Sequence, residues 1–168
     1  MAFSDRACHA AADAAGAAPP RYAHELQAGE QYAPLDFAIT PEVNQQFCFS
    51  LEDYNPDYVG GGPEGADGAL VHPVLLLHMS ARTRSPSFRL APGMGSVFAR
   101  ESVEFLKPAR VNAPLRATWT IREVYEKRGK LYQALEIGVY ERDGERLLKR
   151  EMHSVFHRKE PAPPGGGG

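Results

Sequence analysis

The chain has 168 residues, with 19 Lys+Arg against 21 Asp+Glu and a formal net charge of −2. Its 43% hydrophobic and 24% charged content is that of an ordinary globular domain and excludes wholesale disorder, collagen and coiled coil. The longest purely apolar run, Val74 to Leu77, is far too short to span a membrane. The balanced total hides a segregation: residues 1–70 carry 2 basic and 11 acidic side chains, whereas 71–168 carry 17 basic and 10 acidic.

The Ala-rich start is broken by Asp5, Arg6 and Asp13 and lacks the apolar run of a secretory signal. Residues 1–22 are expected to be a flexible leader, 160–168 a disordered Gly/Pro tail, and 23–159 the folded domain. The two cysteines, Cys8 and Cys48, make neither a disulfide framework nor a C-x-x-C metal spacing, so a reducing cytoplasmic setting is expected. Thr40-Pro41-Glu42 reads as a helix start. Val43, Phe47 and Leu51 put one apolar stripe on that helix, which should stop near Asp53 because Pro56 disfavours helical angles at Asn55. The glycine-rich stretch 60–68 is a loop. From Pro73 through Arg82, Val74, Leu75, Leu76, Leu77 and Met79 cover most of a helix circumference, which predicts a buried helix.

From residue 96 the apolar period changes from helical to two. Val97, Ala99, Val103 and Phe105 share one face of a strand that ends at Pro108. Leu115, Ala117, Trp119 and Ile121 alternate with polar residues in a second strand, and Leu131 to Val139 alternate in a third. Asp143-Gly144 makes a hairpin turn, and Leu147 to His157 forms the last strand. The predicted fold class is α+β: a long antiparallel meander wrapped around one apolar helix.

Asp53-Tyr54-Asn55-Pro56-Asp57-Tyr58, then Val71-His72-Pro73 opening the apolar helix, then Glu104-Phe105-Leu106-Lys107-Pro108-Ala109-Arg110-Val111, together resemble the MaoC-like hot-dog hydratases and dehydratases. In that family an Asp-x-Asn-Pro-x-His motif precedes a His-Gly step at the head of a central helix. The resemblance covers roughly residues 25–158 and implies a single hot-dog domain acting on acyl-CoA or acyl-carrier-protein thioesters, with no cofactor or metal. It assigns Asp53 to water activation or proton transfer and Asn55 to the loop and a substrate contact. The amide at the helix start would polarise the thioester carbonyl. Two positions depart from the pattern. Tyr58 stands where the family has its imidazole, and Pro73, which has no N–H, stands where it has glycine. Both changes are similar to the N-terminal domains of fatty-acid-synthase-type dehydratases, which commonly serve as non-catalytic halves. His72 at the same helix mouth is the candidate replacement for the imidazole, the Val74 amide for the lost donor, and Tyr58 a phenolic proton donor.

Each residue also has a plainer reading. Asp53 fits a turn before Pro56, His72 a helix-cap position, His78 a satisfied buried imidazole, and Trp119 a core position. His72 with His78, and His153 with His157, share elements, but no further ligand completes a metal set. Arg100, Lys107 and Arg110, with Arg116 and Arg122, are candidates to meet an anionic CoA or carrier protein; alternation with Glu101, Glu104 and Glu123 fits a solvated strand face equally well. The leading expectation is reversible hydration or dehydration of a 3-hydroxyacyl/enoyl thioester by Asp53 and His72, with Asn55 and Tyr58 in support. The alternatives are a non-catalytic acyl-binding subunit that partners a complete MaoC-like chain, and a hot-dog thioesterase. Exposed sheet edges predict a homodimer or a heterodimer with another hot-dog chain, and neither nucleic acid nor membrane is expected as a partner.

Overall fold

A computed structural model describes residues 20–60 and 68–158. The expected tail, most of the glycine-rich loop and the leader up to residue 19 lie outside them. In chain order the elements are β1 (Gln31–Phe37), α1 (Pro41–Ser50), α2 (Pro56–Val59), α3 (Pro73–Met79), β2 (Met94–Phe105), β3 (Leu115–Lys127), β4 (Lys130–Glu141) and β5 (Arg146–Arg158). The five strands form one antiparallel sheet in the order β1-β3-β4-β5-β2. Tyr22, placed in the leader by its sequence, bridges to Arg89.

The alternation in β3, β4 and β5 turns Ala117, Trp119, Ile121, Leu135, Ile137, Val139, Leu148 and Met152 toward one face, where all are fully buried. Leu75 and Leu76 of α3 are buried in the same core. Each large apolar side chain buried this way contributes roughly 1.5–3 kcal/mol. The Trp119 indole N–H donates to the Ser80 carbonyl at 2.9 Å, pinning the end of α3 to β3.

Four expectations about these elements are corrected. First, β1 is an additional strand: Pro34 and a register shift between Tyr32 and Leu35 hide its alternation, and both are tolerated because the strand lies at the sheet edge. Second, α1 does not bury the Val43–Phe47–Leu51 stripe. Val43 and Leu51 are about half exposed, and the neighbouring row, Asn44 and Cys48, is buried instead.

Third, α3 ends at Met79 and is covered on one side only. Val74 and His78 are exposed, so His78 is not a buried imidazole. Fourth, a shift between Phe98 and Arg100 flips the facing of β2 halfway along. Val97 pairs with Val155 and looks outward, while Val103 and Phe105 pair with Arg150 and Leu148 on the helix side. One extra residue in a strand exchanges its two faces. Among the described residues no helix is long and apolar enough to cross a membrane.

Candidate active site

Asp53 is aimed by the end of α1. The Asp53 N–H donates to the Cys48 carbonyl at 2.9 Å and the Glu52 N–H to the Phe49 carbonyl at 3.1 Å, with Glu52 left-handed at φ 56°. This paired closure reverses the chain at a helix C-terminus. The Asn55 side chain then accepts from the Asp57 N–H at 3.0 Å and starts α2, while the Asn55 N–H donates to Asp53 Oδ1, also at 3.0 Å. The side chain of Asn55 is thereby engaged in the loop.

His72 stands at the head of α3, where its Nδ1 accepts from the Val74 N–H at 3.2 Å. Its proton is therefore on Nε2, which faces Asp53 Oδ2 at 3.2 Å. The imidazole is packed between Phe47, with ring centroids 5.3 Å apart, and Tyr58, edge-on at 5.0 Å. His72 is 8% exposed, whereas the Asp53 side chain retains 34% of its surface. The carboxylate is thus the solvent-facing member of the pair, and the imidazole is held behind it. Val74 does not offer the free amide donor expected of it, because the ring of His72 occupies that N–H; Pro73 has none to offer.

The residue that assembles this arrangement is one the sequence reading passes over. Asn44 of α1 is fully buried. Its Nδ2 donates to the carbonyls of Tyr58 at 2.7 Å and Leu70 at 2.9 Å, and its Oδ1 accepts from the His72 N–H at 2.9 Å. One amide thus fastens α1, the end of the Asp53 loop and the head of α3. The available signal was a polar residue four positions before Cys48 on one helix row.

The basic candidates divide. Arg110 lies beside the head of α3: its backbone bridges Leu70 and its guanidinium donates to the Gly68 carbonyl at 3.0 Å. Lys107 is ion-paired with Glu145. Arg100 pairs in register with His153 on the outward face of the sheet, away from α3, and does not reach Asp53. Arg116 is held by Asp36 and Arg122 by Glu136. Of these basic candidates, Lys107, Arg116 and Arg122 are thus paired with carboxylates instead of facing the Asp53 loop. Among the described residues no group of three His, Cys, Asp or Glu has the geometry to hold a metal.

No family model matches the sequence, and no curated protein does. The fold has many solved counterparts. R-hydratase PhaJ1 from Pseudomonas aeruginosa superposes with a TM-score of 0.61 at 17% identity, over 86% of this chain and 94% of its own. A MaoC-like dehydratase from Rhodospirillum rubrum gives 0.65 at 14% identity, over 84% and 99%. The chain has the hot-dog fold of MaoC-like dehydratases. The HadBC (3R-hydroxyacyl-ACP dehydratase) complex from Mycobacterium tuberculosis, with a TM-score of 0.58, 17% identity and 79% and 98% coverage, extends the match to a hot-dog chain solved with a second one.

Proposed function

We propose that this chain is a MaoC-like hydratase/dehydratase of 3-hydroxyacyl/enoyl thioesters. The observation that carries the reading is the 3.2 Å contact between His72 Nε2 and Asp53 Oδ2, made by residues from two separate elements at the head of the central helix. A carboxylate oriented by a backbone N–H, set beside an imidazole and open to solvent, is suited to general acid–base chemistry. In hydration, Asp53 takes a proton from the water whose oxygen bonds C3, and the same carboxyl returns a proton to C2; dehydration runs in reverse. His72 sets its imidazole beside the Asp53 carboxyl, with Nε2 3.2 Å from Oδ2. Tyr58 and Phe47 shield the imidazole from water, and Arg110 is the basic residue placed to meet an anionic CoA or carrier protein.

A second reading rests on a specific observation. The Val74 amide is bound to His72 Nδ1 and Pro73 has no N–H, so the helix head lacks two donors that would stabilise an enolate oxygen. This favours a non-catalytic acyl-binding subunit that acts beside a complete hot-dog chain, and the two-chain HadBC complex is support for such pairing.

The deciding experiment follows absorbance of the conjugated thioester and release of free thiol when the purified chain meets crotonyl-CoA. Hydration without thiol release, reduced by roughly 100-fold or more in Asp53→Asn, is the expected outcome. Activity that arises only when a second hot-dog chain is added establishes the subunit reading, and thiol release establishes a thioesterase.

A further inference from the structure

On the sheet face turned away from α3, the pairing register sets Tyr125 of β3 opposite Tyr132 of β4, and His153 of β5 opposite Arg100 of β2. With Ala99 and Lys127 these residues line a cavity of about 370 Å³, a size typical of small-molecule sites. The two tyrosine rings stack at 5.1 Å with 10° between their planes. The Tyr125 hydroxyl lies 3.0 Å from His153 Nδ1, and His153 Nε2 lies 2.9 Å from Glu151 Oε1.

An ionised carboxylate only accepts, so Nε2 of His153 carries the proton and Nδ1 accepts the Tyr125 O–H. The chain Glu151–His153–Tyr125 thus fixes the phenol with its oxygen lone pairs left for an incoming donor. Glu151 is held below the usual carboxylate range, first by its hydrogen bond to His153 and further by His153, Arg100 and Lys149 nearby. Tyr125 is held above the usual phenol range by burial, with Glu123 and Tyr132 adding and Arg100 opposing.

Arg116 and Arg122 on the same face are matched to Asp36 and Glu136, but among the described residues neither Arg100 nor Lys127 has an ion-pair partner. Two cations outside ion-pair distance of any carboxylate, with Glu151 near enough to Arg100 to feel its charge, a fixed acceptor and an aromatic wall therefore converge on one cavity. We propose that it binds a small phosphate ester of nucleotide size. The phosphate pairs with Arg100 and Lys127, a sugar hydroxyl donates to the Tyr125 oxygen, and the planar ring lies along the tyrosines. This site is separate from Asp53 and His72, which stand on the helix side of the sheet.

Isothermal titration of the full chain with AMP, inorganic phosphate and adenosine tests this. AMP should bind, phosphate about 10-fold more weakly or worse, and adenosine more weakly still. Arg100→Gln, Lys127→Gln and Tyr125→Phe should each weaken AMP binding by about 10-fold or more, the loss expected for a charged or fixed hydrogen-bond partner, with an unchanged thermal melt. Asp53→Asn should bind AMP as the parent does. Absence of AMP binding, equal affinity for AMP and phosphate, or AMP affinity that survives Arg100→Gln and Lys127→Gln or falls with Asp53→Asn overturns the proposal.

Discussion

At the scale of single residues, the arrangement around Asp53 depends on polar groups that are individually ordinary. Asn44 satisfies three backbone groups from two other segments, one of them fully buried and two partly, so its removal leaves three polar atoms without this partner. Each such atom costs about 1–3 kcal/mol, and Asn44→Ala should lower unfolding stability by about 3 kcal/mol or more in urea denaturation. A variant within 1 kcal/mol of the parent would show that water or a local shift replaces the amide. Asp53, His72 and Tyr58 were named through the resemblance of the Asp53–Tyr58 and His72–Pro73 segments to the MaoC-like motif, and the fold brings these three side chains together. The fate of the Val74 N–H was not legible in the sequence, because a histidine ring that turns back onto its own helix depends on its rotamer and on the carboxylate it meets across a loop.

At the scale of elements, the strands show where local pattern succeeds and where it fails. β3, β4 and β5 fall where alternation places them, because both faces of a central strand are read in register by its neighbours. β1 escaped because Pro34 interrupts its pattern and its partner, β3, lies more than 70 residues away. Its anchor is Tyr32, 2% exposed, whose hydroxyl donates to Gln133 Oε1 at 3.2 Å; Gln133 Nε2 in turn donates to the Ala23 carbonyl at 2.9 Å. Burial, partly opposed by Arg82, pushes the Tyr32 phenol up from 10.0 to about 12.

A phenol whose folded pKa is raised contributes stability that is complete below the unfolded value and lost as pH rises through the folded one. The parent should therefore lose on the order of 2–3 kcal/mol between pH 10 and 12 from this group. Tyr32→Phe should flatten that alkaline limb in denaturation measured across the same pH range, while costing about 1 kcal/mol at neutral pH because Gln133 Oε1 loses its donor. An alkaline limb identical in both proteins would mean that Tyr32 ionises as freely folded as unfolded.

At the scale of the whole molecule, β2 is a 12-residue edge strand with Val97, Phe98, Phe105 and Leu106 about half exposed on it or just after it. A long edge of this apolar character favours pairing with another chain, in line with the proposed hot-dog partner. Sedimentation velocity should find at least two chains per particle in a preparation of this protein or of this protein with its partner. Phe98→Lys should shift the distribution toward monomer, and a parent chain that is monomeric with every hot-dog partner tried would remove that expectation. The charge segregation seen in the sequence takes a different meaning at this scale. The acidic half does carry the Asp53 loop, but many of the arginines of the basic half bond carboxylates within their own sheet, and Arg100 and Lys127 meet at a cavity on the far side.

The sequence by itself determined which segments become the four long strands and the central helix, because period-two and period-3.6 burial patterns act over neighbouring residues. The resemblance of its motifs to the MaoC-like pattern supplied the Asp53, Tyr58 and His72 candidates. Only the tertiary structure decided which apolar row of α1 is covered, where the register shift turns β2 over, and that Asp53 meets His72 while Arg100 does not. Those outcomes depend on where buried hydrogen-bonding groups find their partners. For Asn44, the Val74 amide and the β2 register, those partners lie in other segments or in a rotamer that local periodicity does not encode.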